Sequence, residues 1–333
     1  MIYRNKKVFS LLIITVFAFL IMTILEPKIF FSLRNFQSMT VQIPEFGLLA
    51  LGITFCMLTG GIDLSVVATA NLAAITAATI LFNFAGANSG AGLTKIITVI
   101  ILAILAACAV GMICGTINGL LVAKMGITPI LATLGTQGLF GGLGVIITKG
   151  KGIVGFPDLF LKIGTAHPLK VPFVLYIFIA VVLILGLILG RTLFGYNIYM
   201  LGSNPLAARF SGINSESVLI RVYMTSGLLA GLASILMIAR VNSARSDYGY
   251  TLVLPAVLVA VLGGINPNGG FGTLTGIVLA LALLQILQSG FNILGASSFF
   301  KNVIWGAMLL LVMVINYIGD RYSKRLRKQI PSL

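Results

Sequence analysis

The chain has 333 residues, of which 59% are hydrophobic and only 9% are charged. A soluble domain usually carries about 25% charged residues, so this chain has too few polar side chains to cover a soluble globule. The composition therefore predicts an integral membrane protein. A net charge of +15 would suggest a nucleic-acid partner in a soluble protein. Here the basic residues border apolar blocks, as membrane anchors do, and we expect no nucleic acid.

Apolar blocks long enough to cross a bilayer recur along the whole chain. They predict an all-α, polytopic membrane helical bundle, organised as a single transmembrane domain over residues 1–333. About ten spans are expected, at 8–25, 42–58, 65–84, 95–122, 128–148, 172–190, 218–239, 252–262, 273–294 and 302–318. Two glycine-rich breaks interrupt this pattern, at Gly60-Gly61 and at Gly263-Gly264. If either break lies inside a broken helix, eight or nine spans are the alternative.

An even number of spans places both chain termini on the same side of the membrane. Lys and Arg favour the cytoplasmic side, and Arg191, Arg209 and Arg221 lie in or beside one polar stretch, residues 202–214. We therefore expect this stretch and both termini in the cytoplasm. The C-terminal end is also basic and is expected to lie near anionic membrane lipid. Its basic residues are Arg321, Lys324, Arg325, Arg327 and Lys328.

The polar stretch 202–214 predicts a short surface helix. Asn204 can cap a helix and Pro205 suits its first turn. Ser211 and Gly212 suit its end, because Gly adopts the left-handed conformation at low cost. A helix held at the membrane surface could receive force from a partner protein. An ordinary connecting loop is the alternative interpretation.

Glycines four residues apart recur in several of the predicted spans. Such spacing lets helix backbones approach closely within lipid. The sets are Gly111, Gly115 and Gly119; Gly138 and Gly142; Gly227 and Gly231; and Gly272 and Gly276. We expect tight helix packing, and packing alone would explain these glycines.

Acidic residues are almost absent from the predicted spans, and Asp63 is the exception. An ionisable group inside a membrane points to function. The carboxylate could equally cap the helix that follows it, so direct contact with a transported species and a cap-and-hinge role both remain open. No intramembrane pair involving Lys, Arg or Glu is expected, which argues against coupling to an ion gradient.

Several uncharged polar residues also lie within the predicted spans. Amide and hydroxyl groups bind hydroxyls without carrying a fixed charge, which suits an uncharged polyhydroxy solute. Hydrogen bonding between helices is the alternative role for each of them. Together with Asp63, the candidates for a solute path are Asn71, Asn118, Thr136, Gln137, Gln285, Gln288 and Asn292.

The chain shows no motif of an enzyme or of a metal site. Residues 144–151 imitate a phosphate-binding loop, but the spacing is one residue too long and Gly152 stands where Ser or Thr is required. Cys56, Cys108 and Cys114 lack the spacing of metal ligands. We therefore expect no catalytic residue, metal or cofactor in this chain.

Motifs spread in order along nearly the whole chain resemble one known family. The stretches are TGGIDLS at 59–65, GTINGLLVAK at 115–124, PILATLGT at 129–136, LGRTLF at 189–194, GSNPLAARFSGIN at 202–214, and LGG at 262–264 with Gly269, Gly270 and Gly272. Together they resemble the permease subunits of ribose-type ABC importers, in which the stretch corresponding to 202–214 is the cytoplasmic coupling segment.

The resemblance implies a set of partners in a bacterial cytoplasmic membrane. Two cytoplasmic ATPases, which would bind ATP and Mg, dock on the coupling segment. A second permease copy or homologue completes the membrane unit, and an extracytoplasmic binding protein delivers the sugar. The residues carried over to ATPase docking are Asn204, Pro205, Ala207, Ala208, Arg209, Ser211, Gly212 and Ile213.

One region departs from the ribose-type pattern. Many members read Glu-Leu-x-Ala-Ile-Ala-Ala-Val near the eighth span, whereas residues 252–259 read LVLPAVLV. Together with residues 243–247, this run looks more like the autoinducer-2 permease branch. The expected solute is a pentose, a hexose or an autoinducer-2-like molecule. An ion-coupled secondary sugar transporter is the alternative function and a passive channel is a third, although neither requires a docking helix.

Overall fold

The computed structural model describes residues 2–86 and 92–329, and these residues are mostly helical. A helix satisfies its own backbone hydrogen bonds, which lipid cannot do. The helices are α1 (Ile2–Leu25), α2 (Pro27–Phe30), α3 (Leu33–Leu58), α4 (Val66–Ala85), α5 (Leu93–Ala123), α6 (Pro129–Thr148), α7 (Asp158–Thr165), α8 (Phe173–Arg191), α9 (Leu193–Ser203), α10 (Pro205–Phe210), α11 (Ser215–Val241), α12 (Val253–Leu262), α13 (Leu274–Ile293) and α14 (Ser298–Gln329). Two short strands, β1 (Ile153–Val154) and β2 (Ser243–Ala244), pair antiparallel.

Within the described ranges, nine helices are long and apolar enough to cross a membrane. The polytopic helical bundle is therefore confirmed. The eighth predicted span differs from the other nine. Its helix α12 has 10 residues and is about 15 Å long, roughly half of a hydrocarbon core about 30 Å thick. It therefore enters the bundle without crossing it, and a glycine-rich hairpin at 263–273 connects it to α13.

Several predicted boundaries also differ from the structure. Helix α3 begins at Leu33, well before the start of the span predicted at 42–58. Helix α9 lies between the sixth span and the polar stretch and was not predicted. The connection between the spans predicted at 128–148 and 172–190 contains β1 and α7. Residues 87–91, between the spans predicted at 65–84 and 95–122, lie outside the described residues, as do the side chains of the basic C-terminal end.

The buried centre of the bundle consists of α3, α4 and α11. Most residues in the membrane-spanning windows of these helices are buried, whereas less than a quarter are buried in those of α1, α8 and α14. Because the exposed side chains of these outer helices are largely apolar, the outer helices are suited to face lipid. The polar side chains that matter for function are therefore expected around the three central helices.

Helices α5 and α11 cross in backbone contact. A Cβ atom added to Gly111 would collide with the carbonyl oxygen of Gly227, and the reverse also holds. A Cβ on Gly231 would lie 2.6 Å from the carbonyl oxygen of Ala107. The predicted role of these glycines in close packing is confirmed.

The glycine prediction is wrong for α6 and incomplete for the last pair. A Cβ on Gly138 or Gly142 would meet nothing within 4 Å, so no helix among the described residues packs against these two glycines. Gly276 does pack against the carbonyl group of Gly263. Gly272, however, lies before the start of α13 at Leu274, so it does not share a helix face with Gly276.

The connections gather at the two ends of the bundle. At one end, here called the α10 end, the α3–α4 connection meets the 263–273 hairpin, where the backbone N–H of Gly270 donates to the carbonyl oxygen of Leu58 at 2.9 Å. At the other end, called the β-strand end, β1 and β2 pair and the amide of Gln37 donates to the carbonyl oxygen of Lys170 at 3.3 Å. The two ends of the bundle therefore differ in structure.

Candidate functional site

The polar stretch 202–214 contains the short helix that the sequence predicted. The side-chain oxygen of Asn204 accepts hydrogen bonds from the backbone N–H groups of Leu206 and Ala207, at 3.1 and 3.0 Å. Pro205 is the first residue of α10, and Gly212 ends it with a φ of +79°. Both ends of the helix are thus determined by local chemistry.

Helix α10 presents an exposed surface with a basic and an apolar part. Of the eight predicted docking residues, Ala208 is buried and Ile213 is half-buried, because they hold α10 against the bundle. Arg209 is exposed, and so are Leu206 and Phe210, which are 66% and 85% exposed. Sequence reasoning omitted these last two, although their position on a surface helix was a usable signal.

The segment leading into α10 contacts both glycine-rich breaks. Gly202 packs so closely against the carbonyl group of Leu58 and the backbone N–H of Gly270 that a Cβ would collide with both. A Cβ on Gly269 would lie 2.7 Å from the backbone nitrogen of Gly60. Three segments distant in sequence therefore meet through their backbones, with no side chain between them.

The two breaks themselves lie where the sequence placed them. Gly60 and Gly264 adopt positive φ values of +83° and +84°, a conformation that favours glycine. Gly61 faces the hydroxyl of Tyr223, 2.6 Å from where a Cβ would lie, and Gly263 is in comparable contact with the backbone of Ile277 at 2.9 Å. The break glycines serve both chain reversal and close approach.

Asp63 is the centre of a buried hydrogen-bond network just beyond the first break. Its side chain is 1% exposed. One carboxylate oxygen accepts from the backbone N–H and the hydroxyl of Ser65, at 3.0 and 2.7 Å. The other accepts from the hydroxyl of Ser226 at 2.8 Å. The carboxylate thus holds the turn that ends at Ser65, the residue before α4, and ties it to α11. A cap-and-hinge role and direct contact with a transported species both stay predictions.

Two other predicted path residues belong to the same network. The amide of Asn118 on α5 donates to the Ser65 hydroxyl at 2.7 Å and lies 3.4 Å from the Asp63 carboxylate. The hydroxyl of Thr136 on α6 donates to the Asn118 side-chain oxygen at 2.6 Å. The network therefore joins α4, α5, α6 and α11 around the first break.

Asn71 lies in the first half of α4, farther from the α10 end than Asp63, and has a different set of partners. Its amide nitrogen donates to the carbonyl oxygens of Ser246 and Tyr248, at 3.0 and 2.7 Å. It therefore holds the connection after β2 against the bundle. Gln137 is half-buried on α6 and lines a groove beside this connection.

The three candidates on α13 lie apart from the Asp63 network. Gln285 donates to the side-chain oxygen of Gln42 on α3 at 3.3 Å. Gln288 is half-buried, and Asn292 is exposed and accepts from the ammonium group of Lys301 at 2.5 Å. The structure thus divides the predicted path residues among three separate places, and a path role for each stays a prediction.

One charged pair corrects the sequence analysis. Glu45 lies in α3 with most of its side chain buried, and its carboxylate accepts two hydrogen bonds from the guanidinium group of Arg240 near the end of α11. This pair was not expected, although Glu45 lies within the predicted span 42–58 and Arg240 directly follows the predicted span 218–239. The two residues are 195 positions apart, so no local pattern could have paired them.

Comparison with known proteins identifies the family. Residues 35–313 match the family described as "Branched-chain amino acid transport system / permease component". The autoinducer 2 import system permease protein LsrD of Yersinia enterocolitica is 33% identical over 85% of this chain and 86% of its own length. LsrD of Photorhabdus temperata is 32% identical over 90% of both chains. No solved structure matches the chain.

These matches cover almost the whole bundle, including both glycine-rich breaks and the segment around α10. The resemblance inferred from the sequence motifs is confirmed, and the chain belongs to this family of ABC-importer permease subunits.

Proposed function

We propose that this chain is the transmembrane subunit of an ATP-driven importer for a small hydroxyl-bearing solute, a pentose, a hexose or autoinducer-2. The LsrD relatives are named for autoinducer-2 import, and the uncharged amides and hydroxyls in the bundle suit such a solute. The chain would act as one transmembrane domain in the bacterial cytoplasmic membrane, with the α10 end and both termini in the cytoplasm.

The observation that carries the proposal is the contact between Gly202 and both glycine-rich breaks. Helix α10 offers Arg209, Leu206 and Phe210 as an exposed surface for an ATPase. Directly before it, Gly202 touches the backbone at Leu58 and Gly270. A partner that moves α10 therefore moves the first break and the hairpin together.

The Asp63 network would pass this movement on from the first break to other helices. The first break leads within a few residues to Asp63, which is hydrogen-bonded to Ser65 and Ser226. Through Asn118 the same network reaches α5 and α6. A movement that begins at α10 can thus change the relative positions of four helices, which is what alternating access requires.

The remaining parts of the transporter are proposed from the family. Two ATPases bind ATP and Mg and dock on α10, and this chain itself has no catalytic role. A second permease copy or homologue pairs with it, and an extracytoplasmic binding protein delivers the solute to the β-strand end.

The Glu45–Arg240 pair favours a second candidate, an ion-coupled secondary transporter. Charged pairs within a membrane often form part of ion pathways. In that case the chain would move solute without any ATPase, and α10 would be an ordinary connection between α9 and α11.

Uptake measured in reconstituted liposomes distinguishes the two candidate functions. We expect the chain to purify with an ATPase, and the double variant Arg209→Glu, Phe210→Asp to lower ATP-driven uptake at least about tenfold, as removal of an interface anchor does. Arg221→Glu is the matched control, because Arg221 is also exposed near this end but lies on α11. Solute uptake by the chain alone, driven by an ion gradient, would overturn the proposal.

A further inference from the structure

A groove of about 410 Å³ lies between α6 and the connection that follows β2. On α6 it is lined by Gln137 and by the glycines at 138, 141 and 142, and on the connection by Asp247 and Tyr250. Its volume falls within the range of small-molecule sites, about 300–1,000 Å³. The groove is separate from the Asp63 network, although Thr136 of that network is the neighbour of Gln137 on α6.

The polar groups of this groove are available to a ligand. Neither the amide of Gln137 nor the hydroxyl of Tyr250 forms a hydrogen bond with another residue in the described part of the chain. Helix α6 is long and apolar enough to span a membrane, and an unpaired amide facing hydrocarbon is costly. The Gln137 side of α6 is therefore suited to water or a hydroxylated solute and not to lipid.

Two contacts hold the groove in shape. The buried amide of Asn71 donates to the carbonyl oxygens of Ser246 and Tyr248, which positions the connection. On the other wall, a Cβ on Gly141 would lie 2.5 Å from the hydroxyl oxygen of Tyr250, so the tyrosine hydroxyl sits directly against the glycine backbone. The groove is thus determined by specific contacts.

The chemistry of the groove selects for an uncharged polyhydroxy molecule. The Gln137 amide both donates and accepts hydrogen bonds, and the Tyr250 hydroxyl does the same. The Asp247 carboxylate is paired with the guanidinium group of Arg245 at 3.0 Å, so the groove offers no unpaired charge for an ion. The glycines leave room for a ring against the helix.

We propose that this groove is a binding subsite for a hydroxyl-bearing solute, with Gln137 and Tyr250 as hydrogen-bonding residues and Asn71 as a positioning residue. The proposal rests on the proposed import function and names the part of the chain that holds the solute. Because α6 also carries Thr136, movement of the Asp63 network would shift one wall of the subsite.

The first test asks whether the groove is aqueous, and it does not depend on transport. In the assembled transporter, Gln137→Cys is expected to react with a water-soluble maleimide at least about tenfold faster than Leu139→Cys, because the reactive thiolate forms in water. Leu139 is the matched control, since it is exposed on the same helix. The unsubstituted chain gives the background from the three native cysteines. Equal, slow labelling of both variants would overturn the proposal.

The second test uses autoinducer-2 as the probe, with D-ribose in parallel. Gln137→Ala and Tyr250→Phe are each expected to lower the solute moved per ATP hydrolysed about three- to tenfold, the effect of one lost hydrogen bond, with the ATPase rate unchanged. Tyr176→Phe is the matched control, because it removes the same hydroxyl group from an exposed tyrosine on α8 that does not line the groove. Unchanged coupling in both groove variants would overturn the subsite. Absence of ATP-driven uptake in the wild type would instead count against the proposed function, and the labelling result would still decide whether the groove is aqueous.

Discussion

Helices α5 and α6 both carry glycines four residues apart, but these glycines meet different surroundings. On α5, Gly111 and Gly115 lie against the backbone of α11 so closely that no side chain fits. On α6, a Cβ atom added to Gly138 or Gly142 would have no neighbouring atom within 4 Å. The same spacing therefore forms a helix crossing in one place and one wall of an open groove in the other.

The difference shows what the glycine spacing encodes. It permits a close approach, but it does not say whether the approaching group belongs to the same chain. On α5, the approach also brings short polar side chains into reach, because Asn118 precedes Gly119 and Ser226 precedes Gly227, and both residues join the Asp63 network. On α6, the neighbouring residue Gln137 remains without such a partner among the described residues.

The largest effect is expected from Gly115→Leu, which breaks the α5–α11 crossing. A Cβ at this position would already collide with the carbonyl oxygen of Tyr223, and the rigid backbone of α11 cannot yield as a side chain could. We expect a loss of at least about 3 kcal/mol in the free energy of unfolding, measured as a lower Tm and a lower yield of monodisperse protein in detergent. Ile113→Leu, at an exposed position of the same helix, is the control and should be neutral. A stable Gly115→Leu protein would show that the crossing is looser than the structure indicates.

An intermediate effect is expected at Asp63, which joins α4 to this crossing. Asp63→Ala leaves the hydroxyls of Ser65 and Ser226 and the backbone N–H of Ser65 without their acceptor, at a cost of about 2–3 kcal/mol. Asp63→Asn keeps one acceptor oxygen and should retain most of the stability and most of the uptake. The difference between the two variants is measured as their Tm values and as their solute uptake in reconstituted liposomes. A well-folded Asp63→Asn protein without uptake would instead indicate that transport requires the negative charge.

Local patterns predicted the parts of the structure that depend on local chemistry. Asn204, Pro205 and Gly212 determine α10 through a cap, a first turn and a left-handed end, all within ten residues, and the structure contains that helix as expected. The apolar blocks likewise predicted nearly all of the membrane helices, because length and hydropathy suffice for that purpose.

The remaining features depend on contacts between distant parts of the chain. Glu45 and Arg240 pair across 195 positions, and Asn71 meets Ser246 across 175. Sequence spacing does not report such distant contacts, so neither the ion pair nor the hydrogen bonds from Asn71 to the connection after β2 were predicted. A path role for Asn71 stays a prediction. Residues 252–262 were predicted as one of about ten spans, but α12 has only 10 residues. Hydropathy does not reveal where a chain turns back.

The smallest effect is expected from Gly142→Ala on α6. This variant tests whether the glycine on α6, unlike Gly115 on α5, has room for a side chain. A Cβ meets nothing there, and Ala is a better helix former than Gly by about 0.8–1.0 kcal/mol. The free energy of unfolding of the isolated chain should therefore stay the same or rise by up to that amount, in contrast to the loss at Gly115. Thermal unfolding of the isolated chain in detergent tests this. A loss of more than about 1 kcal/mol would mean that Gly142 packs within the chain as Gly115 does. The face of α6 that carries Gly142 would then not be open.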